Sequence, residues 1–186
     1  MIKEFNTYLE RIDSEFWRSL FRDEGELRMF KKGEEFITIN TVANSIGLIK
    51  SGSVKYVAYT AEYDERVVGL ETVGGFAASW PFCLYDMPSI VTIVANSNLE
   101  MYCVSVSRIK QLAKEHLGVE RQLAQSTEKI FYTAYERLIS LYTQSPKERY
   151  EELMRRCPTL FEIFPLKDIA SYLNITPTHL SRLRNC

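Results

Sequence analysis

Residues 27–106 break into short β-rich stretches at roughly ten-residue intervals, a rhythm that admits a β sandwich or barrel and little else. The stretches cover 36–39, 46–49, 54–59, 66–70, 90–95 and 99–104. Turn signals divide them at Lys32-Gly33, Ala43-Asn44, Ser51-Gly52, Gly74-Gly75 and Asn96-Ser97-Asn98. Ahead of this region, Phe5, Tyr8, Leu9, Ile12, Phe16, Trp17 and Leu20 follow three-to-four spacing, which predicts an amphipathic helical segment divided near Asp13-Ser14. The order is helix, then strands, then helices, and the class is α+β.

After the strands, Ser107 is expected to cap a short helix running to about His116, and Gly118 to interrupt it before a second helix over 119–143. Leu123, Thr127, Ile130, Ala134, Leu138 and Leu141 form a seam on that helix, widened by Phe131, Tyr135 and Tyr142. An apolar face this wide calls for two partners, the chain's own β region on one side and a symmetry-related helix on the other. The alternative is a core helix packed entirely within one chain. Ser145-Pro146-Lys147-Glu148 then opens another helix with a capping box and a first-turn proline, and Cys157-Pro158 closes it. Three segments result: 1–118, 119–144 and 145–186.

In the last of these, Ile169, Ala170, Leu173, Asn174, Ile175, Leu180 and Leu183 occupy the spacing of a helix-turn-helix. Small Ala170 allows close helix approach, Asn174 tolerates the left-handed turn conformation, and Thr176-Pro177 restarts a helix. The outward residues are then Thr176, Thr178, Ser181, Arg182 and Asn185, with His179 beside them. That is the face a recognition helix turns to the major groove. Arg182 suits a bidentate contact with guanine, while Lys167 and Arg184 suit phosphate. The alternative is an ordinary two-helix corner with a solvated polar face.

With these residues in place, the chain resembles the superfamily of the cyclic-AMP receptor protein and the fumarate-nitrate reduction regulator (Crp/Fnr). The resemblance rests on Phe30-Lys31-Lys32-Gly33-Glu34, on Leu48-Ile49-Lys50-Ser51-Gly52-Ser53-Val54-Lys55, on Gly74-Gly75, on the long helix and on residues 169–182. Thr176-Pro177 and Leu180-Ser181-Arg182 look like members from Bacteroidetes-type bacteria. The resemblance implies an N-terminal double-stranded β-roll (cyclic-nucleotide-binding-like, a cupin-like jelly roll) with flanking helices, a long dimerisation helix and a C-terminal helix-turn-helix unit (winged-helix-like). It further implies a homodimer on palindromic double-stranded DNA, controlled by a signal at the β-roll, with RNA polymerase as a further partner.

Members that bind cyclic nucleotide carry a glutamate soon after the glycine and an arginine followed by serine or threonine further on. Here the two stretches read Gly74-Gly75-Phe76-Ala77-Ala78 and Pro88-Ser89-Ile90, and both charged groups are missing. A buried phosphate needs a fixed cation or a dense set of donors, so binding of cyclic nucleotide in the usual way is not expected. Glu71 lies a few residues early, and backbone N–H groups together with Ser89 leave open the binding of a weaker anion. An effector pocket is expected around Gly74, Gly75, Phe76, Trp80, Ser89 and Tyr135. Phe76, Trp80, Phe82 and Tyr85 either line an apolar pocket there or, the favoured reading, fill the space a nucleotide would occupy.

Composition narrows the rest. A formal net charge of -1 supplies no overall basic field, so DNA contact must be local. The four cysteines are scattered without a Cys-x-x-Cys pair and read as reduced thiols; no metal or other cofactor is expected. A cupin-type enzyme would need two or three histidines on facing strands, and the only two, His116 and His179, lie outside the β region. The chain is therefore read as non-enzymatic. Met1 to Asn6 begins an acidic amphipathic stretch rather than a signal peptide, and no apolar run suits a membrane, so a cytoplasmic protein is expected. Cys186 follows directly on the predicted recognition helix, where the resembled family continues with basic residues, which reads as a trimmed chain or as lowered phosphate affinity. The second functional reading is a regulatory or dimerisation module of the same fold that has lost DNA binding.

Overall fold

The computed structural model describes residues 5–185. Part of the expected N-terminal amphipathic start, Met1 to Glu4, and Cys186 therefore lie outside the described residues.

A 3-10 turn at Thr7–Glu10 precedes helix α1, Ser14–Glu24, and the division near Asp13-Ser14 is where it was expected. Asp13 caps α1, its carboxylate accepting from the Phe16 amide at 3.1 Å. The inner face of α1 buries Trp17 and Phe21 against the strands.

Eight strands follow: β1 Glu26–Phe30, β2 Glu35–Ile37, β3 Ser45–Ser51, β4 Val54–Tyr59, β5 Glu65–Glu71, β6 Phe76–Ala77, β7 Thr92–Ala95 and β8 Leu99–Ser105. They form two antiparallel sheets, ordered β1-β8-β3-β6 and β2-β7-β4-β5. Ile49, Val54, Ile93, Leu99 and Met101 are almost wholly buried in the core that joins them. Gly52, at φ +86°, makes the tight β3–β4 turn; a β-carbon there would stand 2.3 Å from the Asn98 carbonyl oxygen. β1 and β6 were not among the expected stretches, and the run expected over 90–95 pairs only from Thr92.

Helix α2, Val106–Glu115, is capped by Ser105 and not by Ser107: the Ser105 hydroxyl accepts from the Arg108 amide at 3.1 Å. Ser105 ends β8 with extended backbone, as a cap must, whereas Ser107 is already helical. The interruption expected at Gly118 falls instead at His116, whose backbone is extended, and Gly118 sits in the first turn of α3, Leu117–Thr143. At 27 residues α3 is about 40 Å long. The Trp17 indole N–H donates to the Ser126 hydroxyl at 2.8 Å, pinning α1 to α3.

Four helices complete the chain: α4 Pro146–Arg156, α5 Leu160–Ile163, α6 Leu166–Tyr172 and α7 Pro177–Arg184. Both halves of the capping box form at Ser145 and Glu148. These helices share a second core of Leu153, Leu160, Phe164, Ile169, Ala170, Leu173 and Leu180, which also takes in Val67 and Leu70 of β5. Among the described residues β5 pairs as a strand with β4 alone, and α6 and α3 reach its other edge. The Val67 amide donates to the Ser171 hydroxyl at 2.8 Å, and Arg137 donates to the Val68 carbonyl at 2.7 Å. Side chains thus satisfy backbone groups that an open edge would leave to water or to another strand. Lys55 pairs with buried Asp168 at 3.4 Å across the same junction.

Candidate functional site

Two sheets, α1 and α3 leave between them a cavity of about 400 Å³. Ile12, Phe21, Ile46, Leu70, Ile90, Ile109, Leu123 and Ile130 make most of it apolar. Its polar centre is gathered from three distant segments. The Tyr8 hydroxyl donates to Glu71 Oε2 at 2.8 Å and accepts from the Phe76 amide at 3.2 Å. The Tyr56 hydroxyl donates to the Phe76 carbonyl at 3.0 Å and accepts from the Ala78 amide at 3.3 Å. The Thr72 amide donates to Glu71 Oε1 at 3.2 Å. Burial, and then the Glu71 charge, raise both phenol pKa values, so Tyr8 and Tyr56 stay protonated donors.

Of the residues expected at an effector pocket, Phe76 and Trp80 line this cavity, while Gly74, Gly75, Ser89 and Tyr135 do not. The glycines support it from behind. A β-carbon on Gly75 would come within 2.2 Å of the Glu71 carboxyl group, so this glycine makes room for that side chain. Ser89 is occupied locally, its hydroxyl donating to the Val91 carbonyl at 2.7 Å. Tyr135 is exposed on α3 and stacks against Phe131 at 6.1 Å. The aromatic residues do not fill the space: Phe76, Trp80 and Phe82 stand in the cavity wall, and Tyr85 is exposed. Tyr8, Tyr56 and Ser79 were missed as pocket residues, while Glu71 was noted only as a carboxylate lying early; inward alternation on β4 was the one available signal for the missed residues, and it applies to Tyr56 alone.

The seam on α3 divides. Leu123, Ile130 and Ala134 line the cavity, whereas Leu138 is exposed; Thr127 and Leu141 are half-buried. The exposed large apolar residues of α3 are Leu117, Phe131, Tyr132, Tyr135, Leu138, Ile139 and Tyr142, of which Leu138 alone belongs to the expected seam; Tyr142 is 80% exposed.

At the C-terminal end a Schellman motif joins α6 to α7: the Ile175 amide donates to the Ala170 carbonyl and the Asn174 amide to the Ser171 carbonyl. Asn174 takes the left-handed conformation expected of it, φ 55°. The Thr176 hydroxyl caps α7 by accepting from the His179 amide at 3.2 Å. Thr178, Ser181, Arg182 and Asn185 are exposed at the one-face spacing of a helix, with His179 exposed beside them and Lys167 exposed on α6. Arg184, expected to suit phosphate, is also exposed. Its guanidinium lies 4.4 Å over the Phe161 ring, turned towards α5.

Among the described residues no group of three or more histidine, cysteine, aspartate or glutamate side chains is placed to hold a metal. Cys83, Cys103 and Cys157 are free thiols, and burial pushes the first two up to about pKa 11. No helix among the described residues is long and apolar enough to cross a membrane.

Residues 27–116 match the family of the cyclic nucleotide-binding domain. A comparison with curated proteins gives no match. Among solved structures the chain is similar to FixK2 from Bradyrhizobium japonicum, at 19% identity and TM-score 0.71 over 87% of this chain and 83% of that one. It is similar to the c-di-GMP responsive global regulator CLP from Xanthomonas campestris, at 15% identity and TM-score 0.67 over 93% and 90%. A protein from Eubacterium rectale assigned to the crp/fnr family of transcriptional regulators aligns at 18% identity and TM-score 0.66 over 90% and 80%. The chain thus joins a segment that matches a cyclic nucleotide-binding domain to helices in the same overall fold as these solved structures.

The residues lining the cavity do not fit the ligand that the matched family is named for. Among the described residues that line the cavity there is no lysine, arginine or histidine, and the charged side chain there, Glu71, carries the same sign as a phosphate.

Proposed function

We propose that the chain is a Crp/Fnr transcription regulator: a cytoplasmic homodimer that reads palindromic DNA through α7, with its β-roll as effector domain. The observation that carries this reading is the α6–α7 pair. A Schellman turn and a threonine cap hold α7 by buried Leu180 and leave Thr178, Ser181, Arg182 and Asn185 free of the core. In this reading residues 145–185 form the DNA-binding unit, Arg182 reads guanine, and Lys167 positions phosphate. Arg184, stacked on Phe161, contributes less. A second copy of the chain covers the exposed stripe of α3, Phe131 to Tyr142, and sets two α7 helices about 34 Å apart, one turn of DNA. RNA polymerase is a further partner in this reading.

Selection from a random duplex library by the full chain, with an Arg182→Ala, Ser181→Ala variant in parallel, tests it. A palindromic site that the variant no longer enriches is the expected result. Enrichment of nothing at low salt overturns the reading in favour of a module that acts through protein contacts.

A further inference from the structure

The cavity has a chemical character of its own, and the ligand it suits can be read from its lining. Most of that lining is hydrocarbon. Glu71, 2% exposed, is the only charged group among the described lining residues, and both of its carboxylate oxygens accept hydrogen bonds, from Tyr8 and from the Thr72 amide. An anion brought into this low-dielectric space would meet that carboxylate, and the described lining residues offer it no lysine, arginine or histidine. A cation would compete with donors already in place on Glu71.

Two other lining groups do lack partners. The Ser79 hydroxyl, on a residue 3% exposed, and the Trp80 indole N–H are buried without a hydrogen-bond partner. They belong to consecutive residues, and both residues line the cavity. Buried donors seldom go unsatisfied, and two neighbouring ones at the wall of an apolar cavity mark the place for an acceptor.

We infer that the cavity binds an uncharged, largely apolar small molecule carrying a carbonyl-type acceptor, which Ser79 and Trp80 hydrogen-bond while the aliphatic and aromatic wall takes its hydrocarbon part. This rests on the β-roll being an effector domain, and it excludes cyclic nucleotide as the effector. Affinity comes mainly from apolar burial, and the two donors set orientation.

The test uses the full chain and 6-propionyl-2-dimethylaminonaphthalene, a neutral naphthyl ketone whose emission shifts to the blue in apolar surroundings. Saturable, blue-shifted binding at one site per chain is expected. Ser79→Ala weakens it about threefold to tenfold, and Trp80→Phe, which keeps a ring but removes the donor, does the same. Ile130→Trp and, independently, Leu123→Phe reduce the cavity and abolish saturable binding; circular dichroism verifies that each variant is folded. The analogue with a carboxylate in place of the propionyl group binds at least about tenfold more weakly, and cyclic AMP does not displace the ketone.

Equal affinity for the carboxylate, displacement by cyclic AMP, or the absence of saturable ketone binding overturns the proposal. So does binding that both cavity-filling variants leave intact, or that Ser79→Ala and Trp80→Phe together leave unchanged. No DNA enters this assay, so a failed duplex selection leaves its result standing, and a failed titration leaves the DNA-binding reading standing.

Discussion

Replacing Arg137 by alanine should loosen α6 and α7 from the β-roll while leaving both cores folded. One guanidinium nitrogen donates to the Val68 carbonyl at 2.7 Å and another to the Tyr172 carbonyl at 2.9 Å, and the group lies 3.6 Å over the Tyr172 ring. A hydrogen bond from a charged donor contributes about 1.5–3 kcal/mol when shielded, and about 1 kcal/mol is the fitting value where water competes for the group, as at this half-exposed junction. The stacking adds about 0.5–1 kcal/mol. The total, about 2.5–3 kcal/mol, corresponds to roughly a hundredfold change in the opening equilibrium of the junction. The Val67 amide reports on it, because its acceptor is the Ser171 hydroxyl on α6. In Arg137→Ala, hydrogen exchange at Val67 should accelerate about a hundredfold while the buried Ile93 in β7 holds its rate. Arg137→Lys keeps the charge but loses the planar fork and should fall between the two. Less than threefold acceleration at Val67 in the alanine variant would refute the assignment of this arginine as the clamp.

Alkaline pH should destabilise the fold through Tyr8 and Tyr56. Both pKa values are raised in the folded state, so their contribution is intact below the unfolded value near pH 10 and is lost as pH climbs from there towards the folded values, by up to about 1.4 kcal/mol per pH unit for each. Urea midpoints measured from pH 9 upward should show this slope, and Tyr8→Phe and Tyr56→Phe should each flatten it. Thiol reagents at pH 8 should modify Cys157 well before Cys83 and Cys103, which are buried and raised to about pKa 11; peptide mapping of the labelled chain reads the order. Asn174→Gly should leave stability within about 1 kcal/mol of the parent, whereas Asn174→Val should cost about 1–2 kcal/mol at φ 55°, measured by denaturant midpoints.

What was legible along the chain was local. Asp13, Ser145 and Thr176 are caps whose backbone N–H donors lie three residues away, and Asn174 is one of few residues at ease in a left-handed turn, so the ends of α1, α4, α6 and α7 follow from short stretches of sequence. β1 is hidden because its alternating apolar residues, Leu27 and Met29, face outward, so its period marks no core. Whether Ser105 or Ser107 caps α2 depends on where β8 stops pairing, and that is decided by β3 across the sheet. The wide apolar girth of α3 gave no way to tell the face against the β-roll from the exposed one, because only the docking angle separates Ile130 from Phe131. The cavity was least legible of all. Tyr8, Tyr56 and Glu71 come from a 3-10 turn and two strands, and a contact spanning 63 residues leaves no periodic trace.

β5 is the place where the two halves of the molecule share structure. Val68, Gly69 and Leu70 border the cavity, while Val67 and Leu70 belong to the core of the C-terminal helices, so Leu70 is common to both. The pairing of β5 with β4 slips beside Val68: Val57 faces Val67, the next pair is Tyr56 with Gly69, and Val68 is the extra residue of a bulge. That bulge presents the Val68 carbonyl to Arg137 of α3. A bound molecule changes the position of α7 only in so far as it interacts differently with two arrangements of what lies between. Here a single strand lies between, already irregular at the residue that α3 clamps, so a displacement of β5 of even a fraction of an ångström by an occupant of the cavity meets α6 without any intervening layer to absorb it.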